Sequence, residues 1–114
     1  MTVYKLLTAP QMAAFRCDRS FGGAPVDLAD GFVHLSAADQ LAGTAAKHFR
    51  GVAPLWLAAF GQAALGAALR WEPSRGGALF PHLYAPLRLA DMEWAVRLEL
   101  AEDGTPLLPP GLLP

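Results

Sequence analysis

The apolar positions of this chain fall in short runs broken by glycine and proline, the pattern of brief strands with few helices between them. Val3, Tyr4, Leu6 and Leu7 predict a first strand over Val3–Leu7. Thr8 is placed to cap a helix over Pro10–Cys17, with Pro10 in the first turn, where proline is tolerated. Residues 18–30 hold Asp18, Gly22, Gly23, Pro25, Asp27 and Asp30 and read as a loop with room for a short strand. Gly31–Leu35 reads as a strand. Ser36 with Asp39 three residues later is a variant capping box for a helix from Ala37 to Phe49 or Arg50. Leu41, Ala45 and Phe49 give that helix a core-facing stripe, and Gly51 supplies its stop.

Further on, Val52–Phe60 reads as a buried strand, Gln62–Leu69 as a short Ala-rich helix or turn, and Leu69–Glu72 as a strand ended by Pro73. After a flexible loop at 74–78, Leu79–Tyr84 is extended, since Pro81 biases Phe80 away from helix. Trp94, Val96, Leu98 and Leu100 alternate with Ala95, Arg97, Glu99 and Ala101, which predicts a last strand with one inward and one wet face. The organisation that follows is a single α+β domain over 1–102 with a mixed, mostly antiparallel sheet and two main helices. A Pro-rich tail, 103–114, should be poorly ordered or draped on the surface.

Composition sharpens this picture at three points. The chain has 114 residues, 54% hydrophobic and only 17% charged, which supports a packed core and excludes disorder of the body. The longest charge-free stretch, 51–69, approaches the length of a membrane span, but Pro54, Gly61, Gln62 and Gly66 interrupt it, and a buried strand with its turn is the preferred reading. The net charge is −1 and no basic stripe exists, so DNA binding is not expected. Cys17 is the sole cysteine and reads as a small core hydrophobe on the first helix. With no disulfide and no signal-type apolar run at the N-terminus, a cytoplasmic location is expected. The apolar surplus also leaves room for a homodimer face.

His34, His48 and His82 fall in three different predicted elements, without metal-ligand spacing, so no metal is expected. His34 and Ser36 stand where a strand hands over to a helix, a junction that can present donors to a ribose hydroxyl or a phosphate oxygen. A capping serine and a satisfied strand-end histidine would look the same. Phe80, His82 and Tyr84 share one face of an extended segment and would put an imidazole and a phenol beside an aromatic wall. Trp71 and Glu72 end another strand, where Glu72 can accept from a sugar or balance an arginine. His48 and Arg50 close the long helix. His34, Glu72, His82 and Tyr84 are therefore the candidate catalytic residues; Ser36, His48, Arg50, Trp71 and Phe80 are candidate ligand contacts.

Three stretches carry a resemblance: Asp30-Gly-Phe-Val-His-Leu-Ser36, Gln40 through His48-Phe-Arg-Gly51, and Arg70-Trp-Glu72 followed by Leu79-Phe-Pro-His-Leu-Tyr84. In this order and spacing the chain resembles the 952nd family of domains of unknown function, small bacterial proteins, over about residues 3 to 100. The resemblance implies a fold similar to that of ADP-ribosyltransferases, split antiparallel sheets around a cleft that holds NAD in active relatives. It implies that His34 contacts the nicotinamide ribose and that Tyr84 stacks on the nicotinamide. Glu72 is the implied acid, although it precedes Tyr84, the reverse of the order in active transferases. The resemblance also allows His82 a polar role closer to that in RNA 2′-phosphotransferase relatives. NAD is then a candidate substrate, no cofactor is required, and the alternatives are a non-catalytic module that holds a small ligand or nucleotide and a dimeric interaction protein.

Overall fold

A computed structural model describes residues 1–112; the end of the Pro-rich tail, Leu113 and Pro114, lies outside the described residues. The fold is α+β, built on antiparallel pairing. The first sheet sets β4 (Leu55–Gly61) between β1 (Thr2–Thr8) and β8 (Met92–Leu98). The second sets β6 (Leu79–Leu83) between β3 (Val33–His34) and β5 (Leu69–Pro73), and a two-residue pair joins β2 (Ser20–Phe21) to β7 (Leu87–Arg88). Among the described residues four α-helices interleave: α1 (Ala9–Asp18), α2 (Pro25–Asp30), α3 (Leu41–His48) and α4 (Gln62–Leu65).

The charge-free stretch is explained by β4. Leu55, Leu57, Ala58, Ala59 and Phe60 are all fully buried, because β4 is the central strand and both of its faces are covered. On one face Val3, Leu7, Ala58 and Phe60 meet Met12 and Phe15 of α1 and the inner face of the second sheet. On the other, Tyr4, Leu6, Leu57 and Ala59 pack against Leu41 and Ala45 of α3, with Leu108 and Leu112 of the tail laid against them. Among the described residues no helix is long and apolar enough to cross a membrane.

Thr8 caps α1 as its position predicts. Its hydroxyl accepts from Gln11 N at 3.3 Å while Gln11 Oε1 accepts from Thr8 N at 3.0 Å. Elsewhere local signals mislead. The loop expected at 18–30 contains α2, started by Pro25 in its first turn and ended at Gly31, whose φ of 88° closes the helix in the left-handed region. That helix shortens the strand expected at Gly31–Leu35 to Val33–His34. Ser36 does not cap the long helix. Its backbone pairs with Tyr4 in a bridge that ties the two sheets together (Tyr4 N to Ser36 O, 2.8 Å; Ser36 N to Tyr4 O, 2.9 Å). The helical segment opens instead with a 3-10 turn at Ala38–Gln40, and Gln40 Oε1 accepts from Ala37 N. The face of β8 expected to turn inward is only partly covered. Leu98 is buried, but Trp94 and Val96 remain 37% and 36% exposed, since β8 is an edge strand and α3 with the tail covers only its Leu98 end. Cys17 is exposed rather than a core residue, because Met12 and Phe15 form the buried stripe of α1.

Candidate functional site

The site begins with one charged residue in an apolar strand. Lys5 lies in the middle of β1, buried, and its Nζ donates to Asp27 Oδ2 at 2.9 Å and to the His34 carbonyl at 2.8 Å. Asp27, on α2 and 1% exposed, accepts four hydrogen bonds. Besides Lys5 these come from Ala24 N (2.8 Å), His34 N (3.0 Å) and His34 Nδ1 (2.6 Å). One carboxylate thus ties β1, the start of α2 and β3 together. Burial by itself would raise the Asp27 carboxyl, but the Lys5 charge and the donors around it win and hold it below the usual carboxylate range. Burial pulls the Lys5 ammonium down, against the opposing pull of Asp27.

His34 is thereby fixed through Nδ1, and its Nε2 lies 2.9 Å from Asp30 Oδ2 at the end of α2. Across the sheet, His34 stands in register with His82, and the two ring centroids are 5.5 Å apart in an edge-on arrangement. His82 Nδ1 lies 2.9 Å from Glu72 Oε1, and the Tyr84 hydroxyl donates to the same oxygen at 2.8 Å. The donors on Glu72, His82 first and Tyr84 second, hold its carboxyl below the usual range, and the same bond raises the Tyr84 phenol. Phe32 lies against all three rings, at 4.6 Å from His34, 4.1 Å from His82 and 5.3 Å from Tyr84.

Beside the Tyr4–Ser36 bridge lies a cleft of about 520 Å³, lined by residues of β1, β3, α3 and β6. That is an ordinary size for a small-molecule site. His34, Ser36, His48, Phe80 and His82 line it, so five of the nine residues singled out in the sequence converge. Ser36 Oγ meets Thr44 Oγ1 at 3.3 Å on its α3 side. The other four do not line the cleft. Glu72 and Tyr84 stand behind His82, with Tyr84 43% exposed and Arg70 over its ring at 5.0 Å. Tyr84 is therefore not the aromatic wall of the cleft; Tyr4, Phe49 and Phe80 are. Trp71 points to the opposite face of β5, where it packs against the core. Arg50 is exposed and pairs with Asp103 at 3.3 Å.

Sequence reading missed Lys5, Asp27, Asp30 and Phe32. Lys5 did leave a signal, a lone charge inside the apolar run Val3–Leu7. Asp27 and Asp30 read only as loop aspartates, because nothing in the spacing announces α2.

The sequence pattern of the family described as Protein of unknown function (DUF952) matches residues 6–95. Among solved structures, the crystal structure of protein CC0527 from Caulobacter crescentus is similar over 94% of both chains, with 48% identity and a TM-score of 0.91. The solution NMR structure of the same protein aligns over 92% of this chain and 90% of that one, with a TM-score of 0.83. Among curated proteins, none matches the chain.

Proposed function

The chain belongs to the DUF952 family, whose function is unknown, and we propose that it binds a nucleotide of the NAD class in this cleft, through the ribosyl end, with the means to act on it. The observation that carries the reading is the pair His34 and His82. They are adjacent in register, each held through Nδ1 by its own carboxylate, and both line the cleft. His82, so held, is pre-oriented to accept from a ribose hydroxyl, and Asp30, which holds His34 Nε2 at 2.9 Å and also lines the cleft, offers a second acceptor. Tyr4, Phe49 and Phe80 offer apolar surface for a planar ring, and Ser36 and Thr44 offer hydroxyls. The charge balance favours the nucleoside end over a phosphate. Lys5 is already matched by Asp27, and Asp30 adds a negative charge beside His34. The exposed lone thiol of Cys17 suits a reducing compartment such as the cytoplasm.

Thermal shift with NAD, ADP-ribose and 2′-phosphorylated RNA ends tests the binding. A ligand at about a hundred times its Kd adds about 2.7 kcal/mol, which is about 10 °C for a chain of this size. No shift with any of the three refutes the reading. Assay of nicotinamide release then asks for turnover, and release that persists in His34→Ala removes His34 from the reaction. A second reading, binding without turnover, rests on Glu72. The carboxylate that would steady a developing ribosyl cation lies behind His82 and accepts from two neighbours instead of lining the cleft.

A further inference from the structure

Glu72, Tyr84 and Phe32 surround the ring of His82 and leave it one open atom. Its Nδ1 lies 2.9 Å from Glu72 Oε1, and the Tyr84 hydroxyl holds the same oxygen at 2.8 Å. A carboxylate only accepts, so Nδ1 carries the proton of that bond. The tautomer is thereby set: in the neutral ring Nε2 bears the lone pair. Phe32 stacks on the ring face, centroids 4.1 Å apart and planes 28° apart, and a flip of the imidazole would lose the Glu72 bond. His82 is 5% exposed and lines the cleft, whereas Glu72 does not. Nε2 has no hydrogen-bond partner among the described residues. His34 differs on this point, since its Nε2 faces Asp30.

We infer that His82 is the proton acceptor of the cleft: Nε2 takes a hydrogen bond from a hydroxyl or water beside the bound ligand, and takes its proton when that oxygen forms a bond. Glu72 and Tyr84 are positioning residues that act through His82. With the NAD-class ligand proposed above, on which this step rests for its substrate, the acceptor oxygen is water. Its oxygen bonds to the ribosyl C1′ and the C1′–N bond breaks. The electron pair of that bond stays on the nicotinamide nitrogen and cancels its positive charge. The water proton passes to His82 Nε2, and the resulting imidazolium is steadied by Glu72.

The nitrogen NMR chemical shifts of the histidine rings decide the assignment in the ligand-free protein. The expected result is a protonated Nδ1 and a bare Nε2 at His82 at neutral pH, relaxing to a tautomer mixture in Glu72→Gln. A protonated Nε2 in the wild-type protein overturns the inference and leaves nucleotide binding untouched. Conversely, rings that do not respond to NAD or ADP-ribose refute the nucleotide reading, while the tautomer still decides His82. In turnover, Glu72→Gln is expected to lower kcat for nicotinamide release by about a hundredfold with KM unchanged. Tyr84→Phe, at an exposed position that leaves the fold intact, should lower kcat less. Unchanged kcat in Glu72→Gln, or no release by the wild-type protein, overturns the proton-transfer step.

Discussion

Replacing Asp27 with asparagine tests whether a single buried carboxylate organises the cleft. The side chain is fully enclosed and holds four donors, two of them from His34. Asparagine keeps much of the shape and one carbonyl oxygen but removes the charge that balances Lys5, and its NH2 must face either the Lys5 and Ala24 donors or the two His34 donors. Breaking a buried ion pair from one side costs about 3–5 kcal/mol. That is a large share of the roughly 5–15 kcal/mol by which a domain is stable, and about 12–20 °C in Tm at this length. The reverse change, Lys5→Met, should cost less, about 2 kcal/mol, because Asp27 keeps three donors after Lys5 is gone. Urea unfolding of both single variants and the double variant measures this directly. The double variant should be more stable than the sum of the two single losses, the mark of coupled partners. Equal costs for the two single changes, or a loss below about 1 kcal/mol in Asp27→Asn, well under the buried-pair range, would refute the reasoning.

Three further outcomes follow from the same geometry. Asp27 has its carboxyl lowered in the folded state, so its contribution is complete above the ordinary aspartate value near pH 4 and is lost as pH falls through the folded value. Denaturation at a series of acid pH values should therefore show a smaller acid loss in Asp27→Asn than in the wild type, and parallel curves would count against it. Both tyrosines of the chain are held above the usual phenol range, Tyr4 by burial and then Glu93, Tyr84 by its bond to Glu72. Ultraviolet titration should find no phenol ionising as free tyrosine does, and Glu72→Gln should bring one back toward the ordinary value. Phe32→Ala removes the ring that touches His34, His82 and Tyr84. It should cost about 2 kcal/mol and shift the ring-proton resonances of both histidines; unmoved resonances would show that the stack does not form in solution.

Fold class, the capped first helix and the buried central strand were legible in the sequence, because each depends on neighbours a few residues apart. The Thr8–Gln11 box joins residues three positions apart, and β4 announces itself as an uninterrupted apolar run. The histidines and the cleft-lining Ser36 and Phe80 stood out for a similar local reason, as polar or aromatic groups in or beside short elements of a chain poor in charge. What each of them does was decided only by pairing across the chain. The antiparallel register of β3 and β6 brings His34 to His82 over 48 positions. The register of β5 and β6 sets Glu72 opposite Phe80, so that its carboxylate reaches His82 and Tyr84. The same alternation turns Trp71 to the other face, half-buried against the core. Tertiary structure also turned a loop aspartate into the anchor of the site. Asp27 matters because α2 folds back onto β1, where a lysine that cannot be buried alone needs an opposite charge. Local pattern thus determined which segments are strands and helices. Long-range pairing, which the pattern of one segment does not encode, decided which polar groups meet, and so where the candidate site lies.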